Sequence, residues 1–224
     1  MIFQVAVDGP AGSGKSSVSK LIAKKFGFTY LDTGAMYRAC AFIKKHFSLS
    51  DAELAQTLES ADMWFEPSTD GQKMFVRIHT EVFNVTDIIR SPETTAEVGK
   101  VAAVPEVRGL MTAKQKEIAE SVSVVMEGRD IGTVVLPEAQ VKFFFTASIE
   151  ERAKRRQLEW QDKGVEVPLE ELIKDIVKRD EMDSSRTNAP LKKAQDAVEI
   201  DTTGLTIDEV ISIMSAEIEK KLKT

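Results

Sequence analysis

Residues Gly9-Pro10-Ala11-Gly12-Ser13-Gly14-Lys15-Ser16 spell G-x-x-x-x-G-K-S directly after the apolar run Ile2–Asp8 and before a helix-like segment, Ser17–Phe26. A strand before and a helix after are the context this motif needs. Glycine at these places lets the backbone turn so that successive N–H groups point inward at phosphate oxygens. The new helix adds its positive N-terminal end, Lys15 a mobile charge and Ser16 a hydroxyl for Mg²⁺. A glycine-rich turn that merely joins strand to helix would not also need Lys and Ser in register. The chemistry is that of a nucleoside-triphosphate site.

Further charged residues follow later apolar runs. Arg38 comes after Asp32-Thr33-Gly34, Arg129 after Glu127-Gly128, and Arg152, Arg155 and Arg156 after Val141–Thr146. The last trio shares one helical face at i, i+3 and i+4, which by itself also fits a solvated basic surface. Between 169 and 187, the stripe Leu169, Leu172, Ile173, Ile176 and Val177 continues at helical spacing into Arg179, Asp183 and Arg186. An i, i+4 surface ion pair could explain Arg179 and Asp183 at a few tenths of a kcal/mol. Charges on a face that packs inward are costly unless a partner or ligand meets them, so a ligand is the favoured reading. The histidines, His46 and His79, have no metal-ligand spacing, no Ser/His/Asp arrangement is readable, and Cys40 falls on an apolar stripe.

The elements that must position these groups follow from periodicity. Short strands are expected at Phe28–Leu31, Val122–Glu127, Val141–Thr146 and Ala197–Asp201 besides the first, with helices between them. Continuous apolar runs suit strands buried on both faces. The fold class is therefore α/β, a three-layer arrangement around a five-stranded parallel sheet whose ligands gather at the carboxyl ends of its strands. Asp8, Asp32, Glu127, Thr146 and Asp201 share that rim. Thr33 is placed as the N-cap of a helix carrying Met36, Ala39, Cys40 and Ile43, and Ser50 or Asp51 starts another. Residues 62–86 are aromatic and β-branched and read as a three-stranded antiparallel insert, broken at Ser68-Thr69-Asp70-Gly71 and at His79-Thr80. Ser91-Pro92 starts a helix, and Pro105 stops it and opens the next.

The totals bound the rest. A chain of 224 residues fits one α/β domain with an insertion, or at most two small domains, and 42% hydrophobic residues suffice for a core. A net charge of −6 argues against generic nucleic-acid binding. One cysteine excludes internal disulfides and suits a reducing compartment. The first apolar run is too short for a signal peptide and lacks a basic flank, and no segment is long enough to span a membrane. A cytoplasmic location is expected.

A loop for one nucleotide with many arginines on the same rim suits transfer of a phosphoryl group to a second anionic substrate. The blocks Val7–Ser16, Leu31-Asp32-Thr33-Gly34-Ala35-Met36-Tyr37-Arg38 and Glu127-Gly128-Arg129-Asp130-Ile131-Gly132-Thr133-Val134-Val135 resemble bacterial cytidylate kinases. So do Glu151-Arg152-Ala153-Lys154-Arg155-Arg156, Arg179-Asp180 and Asp183-x-x-Arg186 before Ala189-Pro190-Leu191, so that the likeness runs the full length. It implies a single P-loop kinase domain over 1–224, with the 62–86 insert on the monophosphate side and a short helical lid at about 150–168. The implied reaction moves the γ-phosphoryl of ATP to CMP or dCMP.

The resemblance also implies site residues. Gly9, Pro10, Ala11, Gly12, Ser13, Gly14, Lys15, Ser16 and Ser17 would hold ATP. Ser16 would bind Mg²⁺, and Glu127, where an Asp also occurs in the family, would reach the metal through water. Thr33, Tyr37, Arg38, Arg108, Arg129, Asp130, Arg179, Asp183 and Arg186 would hold CMP. Of these, Arg108 and Asp130 would read the base, and Arg179 and Asp183 the sugar. Lys15, Arg129, Arg155, Arg179 and Arg186 would carry catalysis. Gly99 stands where some relatives place a base-touching serine, so that contact is absent or replaced. A monomer is implied as well. The rivals are a kinase for another monophosphate or small metabolite, and a P-loop ATPase or binding module without an acceptor.

Overall fold

The computed structural model describes residues 2–68, 71–162 and 164–223. In chain order the elements are β1 (Gln4–Asp8), α1 (Lys15–Phe26), β2 (Thr29–Asp32), α2 (Thr33–His46) and α3 (Asp51–Ser60). Next come β3 (Asp62–Ser68), β4 (Gly71–Ile78), β5 (Glu81–Asn84), α4 (Pro92–Val101) and α5 (Pro105–Ser121). The chain continues through β6 (Val124–Gly128), β7 (Val141–Thr146), α6 (Ile149–Gln161), α7 (Leu169–Ser184), β8 (Val198–Asp201) and α8 (Ile207–Leu222). These elements form two compact units, residues 1–32 with 116–224, and Thr33–Gln115.

The first unit is built on a sheet of order β2-β6-β1-β7-β8, all of whose pairs are parallel. The apolar runs that read as doubly buried strands are its middle: Val5, Ala6, Val7, Val124, Val125 and Met126 are all fully buried. Val5, Val7, Val125, Phe143, Phe145 and Ile200 pack with Val18 and Ile22 of α1 and with Val210, Met214 and Ile218 of α8. Each such side chain contributes about 1.5–3 kcal/mol on leaving water. Register then lines up the carboxyl ends. Asp8 pairs with Gly128 and Phe144, Asp32 with Glu127, and Thr146 with Asp201, which makes the expected rim.

Helices α6 and α7 share a smaller core of Ala153, Leu172 and Ile176, flanked by Ile149, Trp160, Val167, Leu169 and Ile173. Ser148 caps α6 by accepting the Glu151 N–H at 3.2 Å. Helix α6 falls inside the expected lid segment. Lys163 of that segment lies outside the described residues.

In the second unit, the predicted insert is a sheet of order β3-β4-β5 with antiparallel pairing throughout. Thr69 and Asp70 of the expected turn lie outside the described residues, and His79 makes the second junction in a left-handed conformation (φ 54°). Met74, Val76 and Ile78 supply the buried side of β4, alternating as a half-buried strand must. Ser50 caps α3 in a reciprocal capping box with Glu53, and Ser91 caps α4 with Pro92 at its first position.

At two boundaries the physical cause differs from the sequence reading. Thr33 is already helical, because β2 passes straight into α2 after Asp32. Helix α4 ends at Val101, before Pro105 can act. Its terminal Ala102 carbonyl is met by the Arg108 Nη1, which donates to it at 3.1 Å.

Candidate active site

The loop after β1, the central strand, has the backbone its glycines permit. Gly12 and Gly14 are left-handed, with φ of 77° and 84°, and Gly14 is the N-terminal cap of α1. Gly9 has φ of 149°, and a Cβ there would collide with the Phe145 carbonyl oxygen of β7. The Ser13 hydroxyl donates to the Pro10 carbonyl at 3.0 Å, closing the loop on itself. Lys15 folds back over it, its ammonium donating to the same carbonyl at 2.7 Å and to Ser13 Oγ at 3.3 Å. Those acceptors hold the ammonium in the mouth of the loop, where it would meet phosphate.

Lys15 is buried, and burial above all, then the charge of Arg129, lowers its pKa to about 7; Glu127, Asp8 and Asp183 pull the other way. Lys15 and Arg129 are thus close enough to feel each other. Burial, with the Asp32 carboxylate beside it, raises the pKa of Glu127, while Lys15 and hydrogen bonds from Tyr30 and Ser16 oppose the rise. The Tyr30 hydroxyl donates to Glu127 Oε1 at 2.6 Å. Ser16, Glu127 and Asp32 therefore offer hard oxygen donors next to the loop lysine, a set that suits Mg²⁺ better than a softer metal. Among the described residues no group of three His, Cys, Asp or Glu side chains could hold a metal alone.

Arg129, just past the end of β6, donates through Nε to Asp183 Oδ2 at 2.8 Å. Asp183 is 1% exposed, so the apolar stripe of α7 does run into buried charge. Arg186 also pairs with Asp183, and Arg179 Nε lies 3.9 Å from it. Burial pushes the Asp183 carboxyl up, but Arg129 and Arg186 outweigh it and hold the pKa below the usual value. One carboxylate thereby gathers three guanidinium groups, the density of positive charge that a phosphorylated acceptor needs. Asp130, the next residue after Arg129, is buried, with the Val134 N–H donating to its carbonyl at 2.9 Å.

The trio on α6 divides. Arg152 is 3% exposed, donates bidentately to Asp180 at 3.0 and 2.6 Å, and donates to the Ala11 carbonyl at 3.2 Å. Arg152 is therefore not part of a solvated basic surface, since it braces the loop. Arg155 donates to Thr202 Oγ1 at 3.0 Å, to the Thr202 carbonyl at 2.8 Å and to Glu151 at 2.9 Å. Its Nη1 lies 3.4 Å from where a Gly14 Cβ would sit, so it stands beside the loop. Arg156 is half-buried. Sequence reasoning missed Thr202, whose hydroxyl lies 3.0 Å from the Ser13 carbonyl oxygen. A threonine after a strand gives no signal of its own. It missed Tyr30 too, although the i, i+2 relation to Asp32 at the rim was available.

In the second unit, Thr33, Tyr37 and Arg38 lie on the first turns of α2, with Thr33 and Tyr37 buried. Arg108 of α5 is buried, and its guanidinium sits over the Tyr37 ring, 5.6 Å from the centroid. Stacking and the Ala102 carbonyl fix the plane of that guanidinium, which is the property a base-reading arginine requires. Cys40 packs against Met111, sulfur to sulfur at 3.5 Å, and burial pushes its thiol up to about 12; it is core.

A parallel sheet with this loop after its central strand defines a P-loop protein of the phosphotransferase type. The cytidylate kinase family model matches residues 5–220. The cytidylate kinase of Carboxydothermus hydrogenoformans is 48% identical over 222 residues, 98% of each chain. That of Streptococcus pneumoniae (strain Hungary19A-6) is 48% identical over 223 residues, 98% of this chain and 99% of the other. The chain belongs to the cytidylate kinase family. A solved structure of an uncharacterized protein from Eubacterium ventriosum shares the fold alone, at 13% identity and TM-score 0.55 over 97% of this chain and 98% of that one.

Proposed function

We propose that the chain transfers the γ-phosphoryl group of ATP to CMP and dCMP, giving ADP and CDP or dCDP, by in-line displacement. The observation that carries this reading is the closeness of Lys15, in the donor loop, to Arg129, tied through Asp183 to Arg186. A single-substrate ATPase has no use for that second cluster.

In this reading Gly9 to Ser17 hold ATP, with Lys15 on its terminal phosphates. Mg²⁺ would be held by Ser16 and, through water, by Glu127, and when bound it neutralises charge on the phosphates. Arg129 and Arg186 hold the acceptor phosphate in the first unit, and Arg179 and Asp183 meet the sugar. Asp130 accepts the cytosine amino group. Uracil would turn an oxygen toward that carboxylate instead, leaving a buried clash that penalises UMP. In the second unit, Thr33, Tyr37 and Arg38 serve the phosphate and Arg108 the base. Arg155 leaves Thr202 to close on the phosphates, so residues 150–168 act as a lid. No general base is required, because the acceptor is already an oxyanion and alignment with charge neutralisation suffices.

We read residues 1–224 as one catalytic domain, and the protein as a cytoplasmic monomer without nucleic-acid partners. No helix among the described residues is long and apolar enough to cross a membrane. The test offers CMP, dCMP, UMP, AMP and dTMP separately with ATP and Mg²⁺, followed by phosphorus NMR. CDP and dCDP should form fastest. ADP release without an acceptor would support an ATPase, and preference for AMP would overturn the cytosine assignment.

A further inference from the structure

Asp8 ends β1 and directly precedes Gly9, the first residue of the phosphate loop. Its carboxylate is 3% exposed and points at residues that follow Arg129 and Asp130. Oδ1 accepts the Ile131 N–H at 2.8 Å and Oδ2 the Gly132 N–H at 2.7 Å. These amides open a single wide helical turn, Ile131–Val135, whose far end is closed by the Val134 and Val135 N–H groups donating to the Asp130 carbonyl at 2.9 and 3.2 Å. In the sheet Asp8 is also the register partner of Gly128, the residue before Arg129. The segment Gly128–Gly132 is therefore tied to one residue at both its ends, by backbone pairing before Arg129 and by side-chain acceptors after Asp130.

We propose that Asp8 is a positioning residue for the reaction: it fixes the Arg129–Asp130 segment to the phosphate loop, so that acceptor and donor are held in register. This rests on the reading of Arg129 and Asp130 as acceptor residues. A carboxylate is the side chain that fits, because two converging N–H donors need an acceptor at each oxygen. An amide of the same shape offers one acceptor and turns its NH₂ against the other donor, leaving a buried N–H unmet. Burial makes the carboxylate expensive and raises its pKa to about 6, against the pull of the Gly132 and Ile131 amides. The charged groups facing it are the Asp130 carboxylate and the Lys15 ammonium. A turn that needed only local closure could be capped by an uncharged residue at less cost.

The test is Asp8→Asn at pH 8. The kcat/KM for CMP should fall at least 30-fold, while the Kd for a fluorescent ATP analogue with Mg²⁺, measured without CMP, changes less than threefold. Amide exchange at Ile131 and Gly132 should speed up. An unchanged kcat/KM per folded molecule would overturn the proposal, as would a loss of nucleotide affinity equal to the loss in kcat/KM, which general damage to the loop would give. If Asp8→Asn does not fold, Gly132→Ala replaces it. Its methyl would lie 3.2 Å from Lys142 Cδ and 3.4 Å from Asp8 Oδ2, and should produce the same split at three- to tenfold. CMP kinetics unchanged in that variant would also overturn it. If Arg129→Lys is harmful while the Asp8 variant is harmless, this inference alone falls; if both are harmless, the acceptor assignment beneath it falls.

Discussion

Arg129 and Lys15 carry like charge into one buried neighbourhood, and each is held there by a different acceptor. Arg129 uses Nε on Asp183 at 2.8 Å and Nη1 on the Gly128 carbonyl at 3.2 Å, leaving the rest of its fork for substrate. Lysine would keep the charge but could not hold Asp183 and two phosphate oxygens at fixed geometry. Arg129→Lys should therefore lower kcat/KM for CMP at least about tenfold, or about 1.4 kcal/mol of transition-state stabilisation. Steady-state kinetics with CMP varied at saturating ATP reads this directly, and an unchanged value would remove Arg129 from the site. Lys15 makes a second expectation. With a pKa of about 7 it is mostly neutral at pH 8 in the free protein, and the phosphates of bound ATP restore its charge. Binding at pH 8 should take up protons, measured by calorimetry in two buffers of different ionisation enthalpy. Lys15→Met should abolish the uptake, and zero uptake in the wild type would mean that Lys15 is charged before nucleotide arrives.

Among the elements, the phosphate loop was the most legible in the sequence, because its requirements are local. Gly9 illustrates it. The position demands a positive φ and tolerates no Cβ against Phe145, so Gly9→Ala should destabilise the fold by more than about 2 kcal/mol. Urea unfolding would show this, together with weakened binding of an ATP analogue; full stability would mean that β7 moves away. The five parallel strands were readable because continuous apolar runs leave no face for water, and the antiparallel insert because its residues are aromatic and β-branched between turn signals. The switch of α7 from aliphatic to charged residues was visible as periodicity. What the charges do was not. Periodicity places Asp183 inward, but only the three-dimensional approach of β6 brings Arg129 to it across 54 positions of chain. Arg152 could not be told apart from its neighbours for the same reason. Helical spacing makes 152, 155 and 156 equivalent, whereas Asp180 and the Ala11 carbonyl select one of them for burial. Asp8 was legible as a rim residue, but its two backbone N–H partners were not, and neither were the contacts of Thr202 with the Ser13 carbonyl and Arg155.

At the scale of the whole molecule, the site makes the fold less stable near neutral pH. Asp8, raised from 3.8 to about 6, binds a proton in the folded state between roughly pH 4 and 6 that the unfolded chain has lost, so stability falls as pH rises through that window. Lys15, lowered from 10.5 to about 7, is the opposite case. The unfolded chain holds the proton between about pH 7 and 10.5, so stability rises with pH across that range. Asp183, held below its usual value, contributes stability that is present above about pH 4 and lost as pH falls through its lowered folded value. Glu127, also raised by burial, adds a fall in stability with rising pH, and the rise contributed by Lys15 above pH 7 works against it. The net charge of −6 at pH 7 becomes more negative with pH, and self-repulsion alone would make stability decline steadily. Thermal unfolding of the nucleotide-free protein should therefore show Tm changing more favourably from pH 7 to 9 in the wild type than in Lys15→Met. ATP with Mg²⁺, which supplies phosphate anions to Lys15, should raise Tm. A Tm that falls monotonically above pH 7, equally in wild type and Lys15→Met, would mean that Lys15 is not neutralised by its burial. The low pKa would then be no part of how this enzyme waits for ATP.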